Sequence, residues 1–227
     1  MTTFTAIIPA RAGSKRIPRK NLAMVAGRPL IAWTIAAAIA AQRVERVIVS
    51  TDDPEIATVA TEWGAEVPFL RPAYLSTDEA RSVDVVVHVI ETLRLQEPIV
   101  LMQPTSPLRA SIDIDAAARL FETSGAPAVV SVTRLEHPLE WVRRIGATGE
   151  LLPYLPDRDI ERSQDADELY ALNGALYVIG GETLLRERTF IPAGTIAYRM
   201  PSERSLDIDE PLHLRIADAL LRDQHAA

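Results

Sequence analysis

Thr5-Ala6-Ile7-Ile8-Pro9-Ala10-Arg11-Ala12-Gly13-Ser14-Lys15-Arg16-Ile17-Pro18-Arg19-Lys20-Asn21 begins as an apolar, β-branched run, stops at a proline and passes into a cationic loop. A short apolar run of this kind, bounded by turn residues, reads as a buried strand. The next strongly apolar segment, near Leu30 to Ala41, is long enough for a helix, so the opening unit is strand, loop, helix. Val47-Ile48-Val49-Ser50 starts a second such unit, with Asp53 as helix N-cap, Pro54 in the first turn and Gly64 closing the helix.

Further strands are expected at Ile99 to Met102 and Ala128 to Ser131, with helices near Ser82 to Leu95 and Ile112 to Phe121. Apolar strands alternating with helices imply a mostly parallel sheet covered on both faces, a three-layer α/β fold. After Arg134 the pattern changes. Trp141 to Tyr154 carries Gly146 and Gly149 in an expected hairpin, and Pro156 to Glu168 is polar with weak periodicity. Leu176 to Ile179 and Ile196 to Tyr198 read as returning strands, and Leu212 to Leu221 as a final helix.

The 227 residues fit one domain, 48% hydrophobic and 24% charged, which is ordinary for a globular protein. With no cysteine, a disulfide framework and a thiolate nucleophile are both excluded. A formal charge of −7 argues against a general binder of nucleic acid or membrane surfaces. Met1 to Thr5 lacks a secretory start and no apolar run approaches ~18 residues, so a cytoplasmic protein is expected.

Against that acidic background, Arg11, Lys15, Arg16, Arg19 and Lys20 concentrate positive charge in one loop at a strand's carboxyl end, the usual ligand position of open α/β sheets. Gly13 and Ser14 leave room for backbone N–H groups to approach an anion such as a triphosphate. A solvated basic loop is the competing reading. The stretch is neither G-x-x-x-x-G-K-[ST] nor G-x-G-x-x-G, so neither a P-loop nor a dinucleotide site is supported.

Asp207-Ile208-Asp209 puts two carboxylates on one side of an extended segment, hard oxygen donors suited to Mg²⁺. A surface pair or a cap for the helix from Glu210 is the alternative. Gln103-Pro104-Thr105-Ser106-Pro107-Leu108-Arg109 follows a strand, and its prolines would hold Gln103 and Thr105 still enough to read a ligand or merely stiffen a loop. For Asn173-Gly174 the plain alternative is likewise a turn before a strand. His88, His137, His213 and His225 lack metal-ligand spacing, and no Ser/His/Asp triad is present.

These stretches, with Ser50-Thr51-Asp52, Phe69-Leu70-Arg71-Pro72 and Asn173-Gly174-Ala175-Leu176-Tyr177, lie in the family order of the acylneuraminate cytidylyltransferases, the CMP-sialic acid synthetase family, which the chain resembles along nearly its whole length. The resemblance implies a GT-A-like fold binding CTP through Arg11, Ser14, Lys20, Asn21, Arg71 and Ser82. It implies an acidic keto sugar beside Gln103, Thr105, Tyr177 and Phe190, and Mg²⁺ on Asp207 and Asp209. Catalysis would fall to Arg11, Lys20 and the two aspartates: the sugar's anomeric hydroxyl attacks the α-phosphate and pyrophosphate leaves. The resemblance also implies a homodimer in which residues 140–172 form a dimerisation subdomain of the single domain 1–227.

Two positions depart from the sialic acid pattern, Glu140 in place of Lys and Ser163 in place of Arg, with Arg143, Arg144 or Arg162 available as compensating cations. A sugar of the legionaminic type therefore stands beside sialic acid as the expected substrate. Lys15-Arg16-Ile17-Pro18 resembles the pseudaminic branch. Enzymes for Kdo or a phosphonate, and a non-catalytic nucleotide-sugar binder, are the rival readings.

Overall fold

A computed structural model describes residues 2–155 and 167–226. Ser163 and Arg162 lie outside the described residues. The opening unit is β1 (Phe4–Pro9), the cationic loop, a small hairpin of β2 (Met24–Val25) and β3 (Arg28–Pro29), and α1 (Leu30–Ala40). Next come β4 (Val44–Ser50), α2 (Pro54–Glu62), α3 (Ser82–Leu93), β5 (Ile99–Met102), α4 (Ser111–Ser124) and β6 (Ala128–Arg134). The excursion holds a hairpin of β7 (Arg143–Ile145) and β8 (Leu151–Pro153), after which β9 (Tyr170–Ile179), α5 (Gly181–Glu187), β10 (Ile196–Arg199) and α6 (Pro211–Ala226) complete the chain.

The main sheet runs β10-β6-β9-β5-β1-β4. Its pairs are parallel except at β9, which runs against both β5 and β6. Its direction follows from the connection. Parallel neighbours need a crossover, usually helical, whereas the excursion after β6 returns the chain alongside it in the opposite sense.

Strand β1 shows why the sheet is covered on both faces. Phe4, Ala6 and Ile8 join one apolar cluster with Ile31 and Ile35 of α1, Ile56 of α2 and Ile114 of α4. Ile7 joins the other, with Val86 and Ile90 of α3 and Leu184 of α5. All four β1 residues are fully buried, so truncating Ile7 or Ile8 to Ala would cost about 2–5 kcal/mol. Helix α2 begins as its sequence implies: Asp53 accepts hydrogen bonds from the backbone N–H groups of Glu55 and Ile56, and Pro54 occupies the first turn.

A third cluster matters most for function. Ile17 of the cationic loop, Leu108 after β5 and Ile208 before α6 are buried together against Val25, Leu30, Trp33, Ala217 and Leu221. The three loops that carry the polar motifs thus share one hydrophobic anchor, fastened further by Trp33 Nε1 donating to the Val25 carbonyl (2.9 Å) and Ala26 N to Asp218 Oδ1 (2.7 Å).

One local expectation is corrected, and one contact is new. Asn173-Gly174 is not a turn before a strand; it lies within β9, where the register with β6 shifts between Val130 and Val132 and Gly174 has φ +72°. Asn173 Oδ1 accepts from Ser131 Oγ at 2.6 Å and from Ala175 N at 3.2 Å, replacing ladder bonds that the bulge interrupts. The start of α6 takes a histidine contact: the backbone N–H groups of Asp209 and Glu210 donate to His213 Nδ1, at 3.1 and 3.3 Å.

Candidate active site

The loops after β1 and β5, with the segment between α2 and α3, open onto a cleft of about 390 Å³ at the carboxyl ends of these two strands. Arg11, Ser14, Lys20, Asn21, Arg71 and Ser82, the six positions expected to hold a nucleotide, all line it, as do Gln103, Thr105 and Asp209. A second cleft of about 350 Å³ shares Ser82 and Gln103 with the first and is walled by Tyr177, Phe190 and Arg188. The rings of Tyr177 and Phe190 lie 5.4 Å apart between centroids. The expected sugar residues therefore straddle the two clefts, with Gln103 at their junction.

Within the first cleft the cations differ in setting. Asn21 Nδ2 donates to the Arg11 carbonyl at 3.0 Å, bracing the loop from beneath. Lys20 Nζ donates to the Ile208 carbonyl at 2.6 Å and stands 3.6 Å from Asp209 Oδ1, so it joins the cationic loop to the carboxylate segment. Arg16 pairs with Asp209 at 3.2 Å with both side chains largely exposed, a contact of small energetic weight. Arg11 and Lys15 both reach Asp78. Ala12 N donates to Asp52 Oδ1 at 3.1 Å.

Arg71 is only 6% exposed. Its Nη1 donates to the Leu75 carbonyl and its Nη2 to the Ser50 carbonyl. Burial lowers its pKa, opposed by Asp52 and reinforced by Arg11. Its Nε and the Ser50 hydroxyl are buried without a hydrogen-bond partner, which leaves polar capacity at this end of the cleft.

Asp207 and Asp209 part company. Ile208 between them is fully buried, as strand alternation requires, but only Asp209 lines the basic cleft. Asp207 lines a neighbouring cleft with Leu206 and His213. Its charge still reaches Tyr177, whose hydroxyl pKa is raised by burial first and by Asp207 second. Glu140 lines neither of the first two clefts; it is 3% exposed in the turn Leu139–Trp141.

Sequence reasoning assigned no role to Arg109. It is 2% exposed, with Nη1 donating to the Ala175 carbonyl (2.9 Å) and the Gln103 carbonyl (3.2 Å) and Nη2 to Thr34 Oγ1 (2.7 Å). Burial pulls its pKa down to about 9, with Asp113 opposing, which leaves it cationic at neutral pH. Asp113, fully buried, accepts from Arg204 Nε and Nη2 (each 2.8 Å), Tyr198 Oη (2.9 Å) and Ala110 N (3.0 Å), and so ties α4 to the segment that leads into Asp207. Burial first, and then Asp113, push the Tyr198 hydroxyl up to about 12. Arg109 stood in a stretch already singled out. Asp113 had no signal beyond its place at the start of a helix.

Residues 5–150 match the profile of a family described as cytidylyltransferase. The chain is 35% identical over 221 residues to a CMP-N,N'-diacetyllegionaminic acid synthase of Legionella pneumophila, covering 95% of each protein. It is 36% identical over 218 residues to an N-acylneuraminate cytidylyltransferase of Escherichia coli, covering 95% of this chain and 51% of that one. Among solved structures, a CMP:2-keto-3-deoxy-manno-octonic acid synthetase complexed with CTP superimposes with a TM-score of 0.76 at 17% identity, covering 98% of this chain and all of the other. That likeness shows the GT-A-like nucleotidyltransferase fold.

Proposed function

The chain belongs to the cytidylyltransferase family, and from that premise we propose that it transfers CMP from CTP to the anomeric hydroxyl of a nine-carbon 3-deoxy-2-keto sugar acid, releasing pyrophosphate. The observation that carries this reading is the pair of joined clefts: six expected nucleotide positions and Asp209 share the first, which continues through Ser82 and Gln103 into the second. A triphosphate in the first and a sugar in the second would meet at Gln103.

Both substrates are anions, so their repulsion has to be offset before oxygen and phosphorus can approach. Arg11 and Lys20 supply positive charge on the nucleotide side, and Arg71 and Ser82 hold the nucleoside end. Gln103, Thr105, Tyr177 and Phe190 orient the sugar, so that the reacting atoms are held near attack distance. Mg²⁺ fits the hard oxygen donors of Asp209, which lines the basic cleft, and of Asp207, which lines the neighbouring one. Among the described residues no group of three His, Cys, Asp or Glu side chains is placed to hold a metal, and Mg²⁺ commonly completes its shell with substrate phosphates and water. Bound there, the ion would neutralise charge on phosphate oxygens and acidify the attacking hydroxyl.

The same reading includes a homodimer through residues 140–172, because Ile145, Leu151, Leu152, Tyr154 and Leu172 are exposed apolar side chains on one excursion. Among the described residues no helix is long and apolar enough to cross a membrane, and the reading takes the cytoplasm as the place of the reaction. A sugar of the legionaminic or sialic type is favoured over Kdo, since the chain aligns over most of its length with synthases of those names. Pyrophosphate release from CTP, measured with legionaminic, sialic and pseudaminic acids and Kdo, tests the proposal. Release with none of them, alongside intact CTP binding, would favour the non-catalytic binder instead.

A further inference from the structure

Arg11 and Lys15, two cations of the first cleft, both pair with a carboxylate of the chain itself. Arg11 Nη2 lies 2.8 Å from Asp78 Oδ1, and Lys15 Nζ lies 2.5 Å from Asp78 Oδ2. Arg11 Nη1 donates to the carbonyl of the preceding residue, Thr77, at 2.7 Å. All four residues line the cleft. One short segment between the turn Ala73–Leu75 and α3 thus engages both cations by side chain and backbone together.

We propose that Asp78 is an internal counter-anion, which holds Arg11 and Lys15 in the free protein and is exchanged for phosphate oxygens when nucleotide enters. This rests on the reading that the cleft takes a nucleoside triphosphate. The consequence is a charge threshold. A ligand has to bring enough negative charge to replace a carboxylate already satisfied by two cations, which a triphosphate or pyrophosphate does and a nucleoside does not. The same exchange runs backwards after transfer: Asp78 returns to Arg11 and Lys15 as pyrophosphate departs, so that the cations are never left uncompensated. The perturbed groups agree with the geometry. The Lys15 hydrogen bond, together with the charges of Lys15 and Arg11, holds the Asp78 carboxyl below its usual range, and Asp78 raises Lys15.

The arrangement also accounts for an acidic residue on the wall of a cleft built for anions. A carboxylate that merely repelled the triphosphate would oppose the binding function, whereas one that shields Arg11 and Lys15 between turnovers tunes it. Asp78 is partly exposed, so its exchange requires movement of one short polar segment and no opening of the core.

The experiment is titration calorimetry of the full chain with CTP, pyrophosphate and cytidine, at low and high salt, for the natural protein and for Asp78→Asn and Asp78→Glu. Asp78→Asn should bind CTP and pyrophosphate roughly threefold to tenfold more tightly at low salt, the range expected of one or two partly exposed ion pairs. The gain should shrink at high salt, cytidine should bind equally to both proteins, and Asp78→Glu should stay near the natural values. Pyrophosphate should correspondingly become a stronger product inhibitor of Asp78→Asn. If the natural chain binds no CTP, the nucleotide reading itself fails. If it binds CTP but Asp78→Asn binds CTP no better, or more weakly, the counter-anion inference alone is overturned and Asp78 is a residue that positions Arg11.

Discussion

Replacing Arg109 by Met would remove a buried cation while keeping a long, flexible, apolar side chain of comparable reach. Three acceptors would be left behind: the carbonyls of Gln103 and Ala175 and the Thr34 hydroxyl. Hydrogen bonds from a charged donor contribute about 1.5–3 kcal/mol each in isolation. Part of that is offset because the variant no longer buries a guanidinium, so a net loss of about 3–4 kcal/mol is expected, in line with other broken buried networks. For a chain of this size each kcal/mol moves Tm by about 2–4 °C, so unfolding followed by circular dichroism should fall by roughly 10 °C. Arg109→Lys should recover only part of it, since an ammonium cannot match the planar fork that spans β9, α1 and the loop after β5. The Gln103 carbonyl would keep only the longer contacts from the Ser106 N–H (3.4 Å) and the Thr34 hydroxyl (3.5 Å), so at temperatures where Arg109→Met is folded KM for the sugar acid should rise more than KM for CTP. A Tm within about 2 °C of the natural protein, or an equal change in both KM values, would refute Arg109 as the strut beneath the sugar side.

Replacing Asp209 with Ala should slow turnover on the order of a hundredfold, about 3 kcal/mol of transition-state stabilisation, and full activity in excess chelator would contradict the Mg²⁺ reading. Arg11→Ala should depress kcat/KM with CTP far more than it lowers Tm, whereas Arg16→Ala, which loses only an exposed pair with Asp209, should be mild; equal small effects at both would favour a solvated basic loop. Sedimentation should show a dimer at assay concentrations, and Leu152→Glu should shift it towards monomer. The Glu66 carboxyl is held below its ordinary pKa chiefly by its hydrogen bond from Arg46; because the folded value is the depressed one, the pair's stabilisation is present above about pH 4.5 and is lost as pH falls through the folded value. Glu66→Gln should therefore flatten that acid limb by less than about 1 kcal/mol, given how exposed the pair is, and an unchanged limb would assign the loss to other carboxylates.

The sequence made the strands and helices legible where apolar runs had one period and clear punctuation, as at β1, β4 and the capped start of α2. It did not disclose that β9 runs against its neighbours. An apolar strand reads the same in either direction, and the choice was made by a polar excursion whose periodicity is weak. Asn173-Gly174 misled for a related reason: the dipeptide favours a turn locally, but Ser131 on β6 and Ser205 near α6 supply partners that hold it as a bulge in a long strand. The cationic loop was conspicuous because its charges are dense in an acidic chain. Asp78 was not, since a single carboxylate in a polar loop has no signature until the residues it faces are known.

The D-x-D segment shows where spacing stops and packing begins. Alternation alone placed Asp207 and Asp209 on one side, yet the two line different clefts, and what decides their placement is the residue between them. Ile208 buries its side chain fully beside Ile17 and Leu108. Its N–H donates to the Thr105 carbonyl at 2.8 Å, and its carbonyl accepts from Lys20 at 2.6 Å. One residue without chemistry of its own is thereby fixed to both the cationic loop and the loop after β5, and it carries a carboxylate on either side. Losing the Lys20 contact would free the segment as well as remove a charge, so a defect at Lys20 has to be divided between electrostatics and positioning. Lys20→Met and Lys20→Arg separate them: Arg restores the charge without the compact ammonium, and only the positioning part should persist in it.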